Sequence, residues 1–173
     1  MTALVLTRES TMIKMEQPSL VLHSHNVPGY KYQMWATYTA PKTLPISTLV
    51  SWIEWAIDHS PDDNLNNVII NCHGSPGYLH IATGIGIHDL EPFKRLRQKQ
   101  SIGRIWIVAC EVHKTTSKLG SDFCTALARA AAVAVVAADA LQHVNESSLP
   151  DGYIDDYEGN VYAYDGSGSK ELV

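Results

Sequence analysis

Apolar residues in the middle of the chain fall into short uninterrupted runs, and these alternate with segments of helical periodicity. The uninterrupted runs, typical of strands buried on both faces of a parallel sheet, are residues 68–72, 105–109 and 132–137. The segments with apolar positions at helical spacing are about 45–60, 89–100 and 120–131. Strands that alternate with helices in this way predict an α/β domain. We expect a mostly parallel central sheet, with right-handed crossovers and helices on both faces.

The flanking regions have weaker patterns. Short strands are predicted at residues 3–7, 19–23 and 30–38. The first helix is expected to be capped by Ser47 or Thr48. In the tail, residues 153–157 and 161–164 predict a β-hairpin that turns at residues 158–160. All four tryptophans are interpreted as core residues, at positions Trp35, Trp52, Trp55 and Trp106.

Composition narrows the class of protein. The 173 residues are 45% hydrophobic and 18% charged, which suits one folded domain over residues 1–173. The net charge of −5 argues against nucleic-acid binding. A single basic cluster, best interpreted as the solvated side of a helix, comprises Lys94, Arg95, Arg97 and Lys99. The first ten residues hold too short an apolar run for a signal peptide or a membrane span, so we expect a cytoplasmic protein with no membrane partner.

Two of the predicted buried strands end on residues capable of catalysis. His73 follows the run at 68–72, and Cys110 follows the run at 105–109. Ligands bind beyond the carboxyl ends of parallel strands, so an imidazole and a thiol are expected to share one cleft. A thiol is mostly protonated at neutral pH and needs a base to become a nucleophile, which His73 can supply. The backbone N–H groups of Gly74 and Cys110 are candidates for an oxyanion hole.

These residues resemble a known family. A hydrophobic strand that ends in His73-Gly74 and a later one that ends in Ala109-Cys110 are similar to the pattern of caspases, legumains, gingipains, separases and bacterial CHAT domains. The resemblance covers about residues 68–139 and is greatest for the CHAT and gingipain-like branches, although Glu111-Val112-His113 differs from the commoner Glu-Thr-Gly. It implies a three-layer caspase-like sandwich and a cysteine endopeptidase that needs no cofactor and acts on a protein or peptide. The alternative is a catalytically silent caspase-like module for binding or assembly.

The remaining candidates concern substrate and metal. Asp139 ends the strand after the one that leads to Cys110, and with Glu111 it is a candidate substrate-binding residue for a basic P1 side chain. A helix-capping or solvated aspartate is the competing interpretation. Cys72 and Cys124 are interpreted as core residues, and three widely spaced cysteines suit a reducing compartment. The residues that could be considered as zinc ligands match no structural zinc spacing: Cys72, His73, His80, His88, Cys110 and His113. No metal site is predicted.

Overall fold

A seven-stranded sheet forms the centre of the molecule. The computed structural model describes residues 12–27, 29–109, 118–139 and 148–173. In chain order the strands are β1 (Met12–Lys14), β2 (Ser19–Ser24), β3 (Ala36–Ala40), β4 (Leu65–Asn71), β5 (His73–Ser75), β6 (Tyr78–His80), β7 (Ile102–Val108), β8 (Ala134–Ala138), β9 (Tyr153–Asp155), β10 (Val161–Tyr164) and β11 (Lys170–Leu172). The central sheet has the order β11-β10-β8-β7-β4-β2-β3. Its five strands from β8 to β3 are parallel, as predicted, and β10 and β11 extend it antiparallel.

One face of the sheet is covered by helices. The α-helices are α1 (Ile46–His59) and α2 (Lys118–Ala131), and a 3₁₀ helix spans Glu91–Gln98. Side chains from all three, such as Ile53, Phe93 and Phe123, join one core cluster with alternate residues of the central strands. The predicted helices at 45–60 and 120–131 are confirmed within two residues. The predicted segment at 89–100 is helical over a shorter range and has 3₁₀ geometry.

The opposite face is covered differently. Its core cluster contains Val21, Ile69 and Val108 from the sheet, together with Tyr32 and Tyr157 from connecting segments. The prediction of helices on both faces is therefore wrong for the part of the chain that the structure describes. The strand order gives the reason: the connections β3 to β4, β4 to β7 and β7 to β8 all advance in one direction along the sheet. Right-handed crossovers that advance in one direction lie on one face.

The predicted hairpin of the tail is also wrong in its partners. Strand β9 pairs with β1, whereas β10 pairs with β8 and with β11. The tail does end in a β-hairpin, but its strands are β10 and β11. The remaining short motif is a two-stranded hairpin of β5 and β6, which lies directly after β4.

Several smaller expectations need correction. The N-cap of α1 is Pro45, which makes no side-chain cap bond, so neither Ser47 nor Thr48 is the cap. The predicted strand at 30–38 begins only at Ala36, and the predicted strand at 3–7 lies outside the described residues. Trp35 and Trp55 are 41% and 51% exposed and are not core residues.

The side chains of the basic cluster make ion pairs and hydrogen bonds with their own helix and with α1 and α2. Arg95 pairs with Glu54 of α1, Lys99 lies 2.6 Å from the Asp58 carboxylate, and Lys94 lies 2.7 Å from Glu91. Arg97 donates to the last carbonyls of α2, where a cation also complements the helix dipole. This arrangement agrees with a solvated helix surface. Within the described residues, no helix is long and apolar enough to cross a membrane.

Candidate active site

The strands that lead to His73 and Cys110 are direct neighbours. Strands β4 and β7 are parallel, with Asn71 opposite Val108. The Cys72 N–H donates to the Val108 carbonyl over 3.2 Å, so the two strands remain joined to their carboxyl ends. His73 begins the next element, and Ala109 is the last described residue before Cys110. Cys110 and Glu111 lie outside the described residues, and their roles stay predictions.

The segment that contains Cys110 has both of its described ends beside the His73 hairpin. It leaves β7 next to Cys72, and it enters α2 at Lys118. At the turn of the hairpin, Gly77 has φ +71°, and a Cβ built on it would lie 2.9 Å from the Leu119 carbonyl oxygen. The start of α2 therefore packs directly on the turn that follows His73, and a larger residue than glycine does not fit there.

The ring of His73 is exposed and makes a hydrogen bond to the loop after β2. Its Nε2 lies 3.1 Å from the backbone oxygen of Asn26. A carbonyl oxygen can only accept, so Nε2 must carry the proton in this bond. In the neutral imidazole, Nδ1 then keeps the lone pair and is the nitrogen that can take a proton. The Asn26 carbonyl thus fixes the tautomer that a general base requires at Nδ1.

Gly74 has its backbone directed away from β6. In an antiparallel pair, hydrogen-bonded and non-hydrogen-bonded positions alternate. Leu79, which faces Gly74, exchanges both of its backbone hydrogen bonds with Ile85 on its other side, at 2.9 and 3.0 Å. The Gly74 N–H therefore lies on the outer edge of the hairpin, directed away from β6.

A buried polar cluster anchors the loop that supplies the Asn26 carbonyl. His23 is 0% exposed, and its Nε2 donates to the Tyr32 carbonyl over 2.9 Å. Its Nδ1 accepts from the Asn71 side-chain amide over 3.2 Å. Burial lowers the pKa of His23 from its ordinary value, so the ring is held neutral. One histidine thereby ties β2 and the following loop to the end of β4, two residues before His73.

Sequence reasoning missed this cluster. His23 and His25 are two residues apart in the sequence, yet His25 is exposed and His23 is buried. The available signal was the apolar run Leu20-Val21-Leu22 directly before His23. A polar side chain that continues a run buried on both faces is expected to be hydrogen-bonded inside the protein.

Asp139 lies at the end of β8, beside β7, where the sequence placed it. Its two carboxylate oxygens accept from the backbone N–H and the side-chain amide of Asn160, over 2.9 and 3.0 Å. The Asp139 N–H donates back to the Asn160 carbonyl over 3.0 Å. These bonds join the end of β8 to the start of β10, so Asp139 has a structural role between two strands and is not seen to cap a helix in the described residues.

The two described cysteines are buried, and His80 lies on the hairpin opposite His73. Cys72 and Cys124 are 2% and 0% exposed, which confirms both as core residues. Burial raises the pKa of the Cys124 thiol to about 12, so it stays protonated. His80 faces His73 across the hairpin, and its Nε2 lies 3.3 Å from the Ser75 hydroxyl. Among the described residues, no three histidine, cysteine or acidic side chains are grouped to hold a metal.

Comparison of the chain with models of protein families, with curated proteins and with solved structures finds no match.

Proposed function

We propose that this protein is a cysteine endopeptidase of the caspase-like type, similar to the CHAT and gingipain-like domains, with Cys110 as nucleophile and His73 as general acid and base. The observation that carries the proposal is the pairing of β4 with β7. The two strands are adjacent, parallel and in register up to Asn71 and Val108, and they lead into His73 and Cys110 respectively. The resemblance of the His-Gly and Ala-Cys motifs supplies the chemistry. The contact of the Gly77 turn with α2 supports the proposal from the other end of the segment.

The proposed reaction uses the tautomer that Asn26 selects. Nδ1 of His73 accepts the Cys110 thiol proton, and the thiolate sulfur forms a bond to the peptide carbonyl carbon. The N–H groups of Gly74 and Cys110 stabilise the oxyanion, and the carbon–nitrogen bond breaks as His73 returns the proton to the leaving amine. Water, deprotonated by His73, then hydrolyses the thioester and releases the acid and the free thiol.

The substrate in this proposal is a protein or peptide, and Asp139 with Glu111 would bind a basic P1 side chain. Asp139 would have to do so while it holds Asn160, and a carboxylate oxygen with one hydrogen bond still has a second lone pair. The rival, a silent module, predicts no difference in reactivity between Cys110 and an ordinary accessible thiol.

Alkylation of Cys110 by iodoacetamide, followed by peptide mass spectrometry, tests the dyad without knowledge of the substrate. We expect Cys110 to react faster than Cys72 or Cys124, and His73→Gln to slow its reaction near neutral pH by roughly tenfold or more. His80→Gln is the matched control, because this exposed histidine faces His73 on the neighbouring strand. Equal rates in the two variants would show that His73 does not activate Cys110. A fluorogenic peptide panel, measured on the wild-type protein, distinguishes an active enzyme from a silent module.

A further inference from the structure

The two edges of the central sheet differ in how they are protected. Natural proteins protect edge strands with charged residues, prolines or bulges, because an open edge invites another strand to pair. Strand β11 carries Lys170 and Glu171. Strand β3 is Ala-Thr-Tyr-Thr-Ala and has neither a charge nor a proline within it. Over the described residues, β3 pairs on one side only, with β2.

Exposed aromatic rings lie beside the β3 edge. Tyr38 contacts Trp52 and Trp55 of α1 edge to face, with ring centroids 5.8 and 6.2 Å apart. These three side chains line an open pocket of about 340 Å³. Trp55 is 51% exposed and Trp35, directly before β3, is 41% exposed. Adjacent exposed aromatic side chains beside an unpaired strand edge are typical of a surface that binds another protein or peptide.

Two carboxylates of α1 near this surface are already paired with cations. On α1, the carboxylates of Glu54 and Asp58 are paired with Arg95 and Lys99. His59 stacks on Trp55 with ring centroids 4.0 Å apart, and its Nδ1 lies 2.8 Å from the Trp55 backbone oxygen. The aromatic part of the surface therefore suits an apolar partner, and the paired carboxylates of α1 do not make it repel an identical surface, although the chain has a net charge of −5.

We propose that β3 is the interface of a symmetric dimer, in which the β3 strands of two copies pair antiparallel about Tyr38. The strand sequence reads the same in both directions, so this register places alanine opposite alanine, threonine opposite threonine and tyrosine opposite tyrosine. In a two-fold interface residue i contacts residue j and j contacts i, so each such pair must be complementary, and here both members of every pair are the same type of residue. Pairs of β-branched and of aromatic residues are favourable cross-strand neighbours. The Tyr38 and Trp55 rings of each copy would then cover those of the other.

Sedimentation or light scattering of the full chain over a hundredfold range of concentration tests the proposal. We expect the mass to rise from one chain to two. Thr39→Lys places a charge on the exposed part of the strand and should weaken the dimer by roughly tenfold or more. The control Leu172→Lys places the same charge on β11, at a residue 67% exposed, and should leave the dimer unchanged. Thr39→Val, which keeps the branched shape, should also dimerise.

A chain that stays monomeric throughout, or a dimer that survives Thr39→Lys, would overturn the proposal. If Thr39→Lys does not fold, Trp55→Ser replaces it, because Trp55 is half exposed and its loss should also weaken the dimer. A labelled peptide with the sequence of residues 34–42 should compete with dimerisation. If that peptide binds to a chain that never dimerises, the edge accepts a foreign extended segment and the second copy is excluded as its partner. The experiment does not involve His73 or Cys110, so its outcome is independent of the proposed peptidase activity.

Discussion

The two faces of the central sheet are stabilised in different ways. On the helix-covered face, the core cluster is almost entirely aliphatic and phenylalanine side chains. On the opposite face, polar side-chain groups bond to the sheet, within it and between the segments that cover it. The Tyr157 hydroxyl donates to the Ile107 carbonyl over 2.9 Å, and the Trp106 indole N–H donates to Asn67 over 2.7 Å. The Tyr32 hydroxyl donates to Asp155 over 2.9 Å, and the Tyr157 and Trp106 rings stack.

The two faces therefore contribute differently to the stability of the sheet and to the positions of its loops. Apolar contact is non-directional, so the helix-covered face can hold the sheet together without fixing any one loop. Hydrogen bonds are directional and costly to leave unmade in the interior, so the opposite face fixes its connecting segments in one arrangement. The His23 cluster belongs to that second face, and it anchors the loop whose Asn26 carbonyl holds His73. The candidate site is thus positioned from the face that has no helix among the described residues.

The largest expected effect is on the helix-covered face. Phe93 is 0% exposed, and Phe93→Ala removes its ring and leaves a cavity in the core. We expect the free energy of unfolding to fall by about 3–5 kcal/mol. Urea denaturation followed by circular dichroism measures this, with Leu172→Ala at an exposed position as the control. A loss below about 1 kcal/mol would show that the helix face is not the main source of stability.

The next effect is a pH dependence that comes from His23. Burial lowers its pKa in the folded protein, so the unfolded chain takes up a proton near the ordinary value of 6.5 while the folded protein does not. The contribution is fully present above pH 6.5 and is lost as the pH falls from there towards the lowered pKa. The loss is at most about 1.4 kcal/mol per pH unit, since one proton is involved.

The variant His23→Gln isolates this contribution. Glutamine can keep a donor for the Tyr32 carbonyl and an acceptor for Asn71, but it does not titrate. The difference in unfolding free energy between wild type and variant should therefore shrink as the pH falls below 6.5. The exposed His25 provides the matched control, His25→Gln. A difference that stays constant between neutral and acidic pH would mean that His23 is not held neutral by burial.

A smaller effect is expected for a single hydroxyl of the second face. Tyr157 is 3% exposed, and Tyr157→Phe removes its bond to the Ile107 carbonyl while the ring and its stacking on Trp106 remain. We expect a loss of about 1 kcal/mol, the usual value for one buried hydrogen bond. Thermal and urea unfolding measure it. A neutral or stabilising result would indicate that the carbonyl is satisfied equally well by its strand neighbour.

The elements could be predicted where local pattern decides them. The runs at 68–72 and 105–109 identified β4 and β7, because consecutive apolar residues, broken only at Asn71, are typical of a strand buried on both faces. Both strands in fact begin three residues earlier. Asn67 of β4 is buried because it accepts from the Trp106 indole, a partner 39 residues away. A polar residue whose partner is distant in sequence cannot be recognised as part of a strand.

Strand pairs between residues far apart in the sequence could not be predicted. The partner of β9 is β1, about 140 residues earlier in the chain, and no local pattern distinguishes it from the nearby β10. The direction of the crossovers depends on strand order, so the face that the helices cover could not be read from their periodicity. For the site, the positions of His73, Gly74 and Asp139 at strand ends were predictable. The Asn26 carbonyl was not, since a loop conformation brings it there. The burial of His23 had a local signal, but its partners Tyr32 and Asn71 did not, since the loop and the pairing of β2 with β4 bring them together.

The smallest expected effect tests whether the two faces act independently. Ile53→Val removes one methyl group from the helix-covered face and should cost about 0.5–1.5 kcal/mol. His23→Gln perturbs the opposite face, and the sheet lies between the two residues. Because they share no contact, the double variant should lose the sum of the two single losses within about 0.5 kcal/mol. The contrasting pair is His23→Gln with Asn71→Ala, whose side chains are hydrogen-bonded and should show a coupling of about 0.5 kcal/mol or more. Coupling across the sheet as large as coupling within the His23 cluster would mean that the faces form one cooperative core, and that stability and positioning of the site cannot be changed separately.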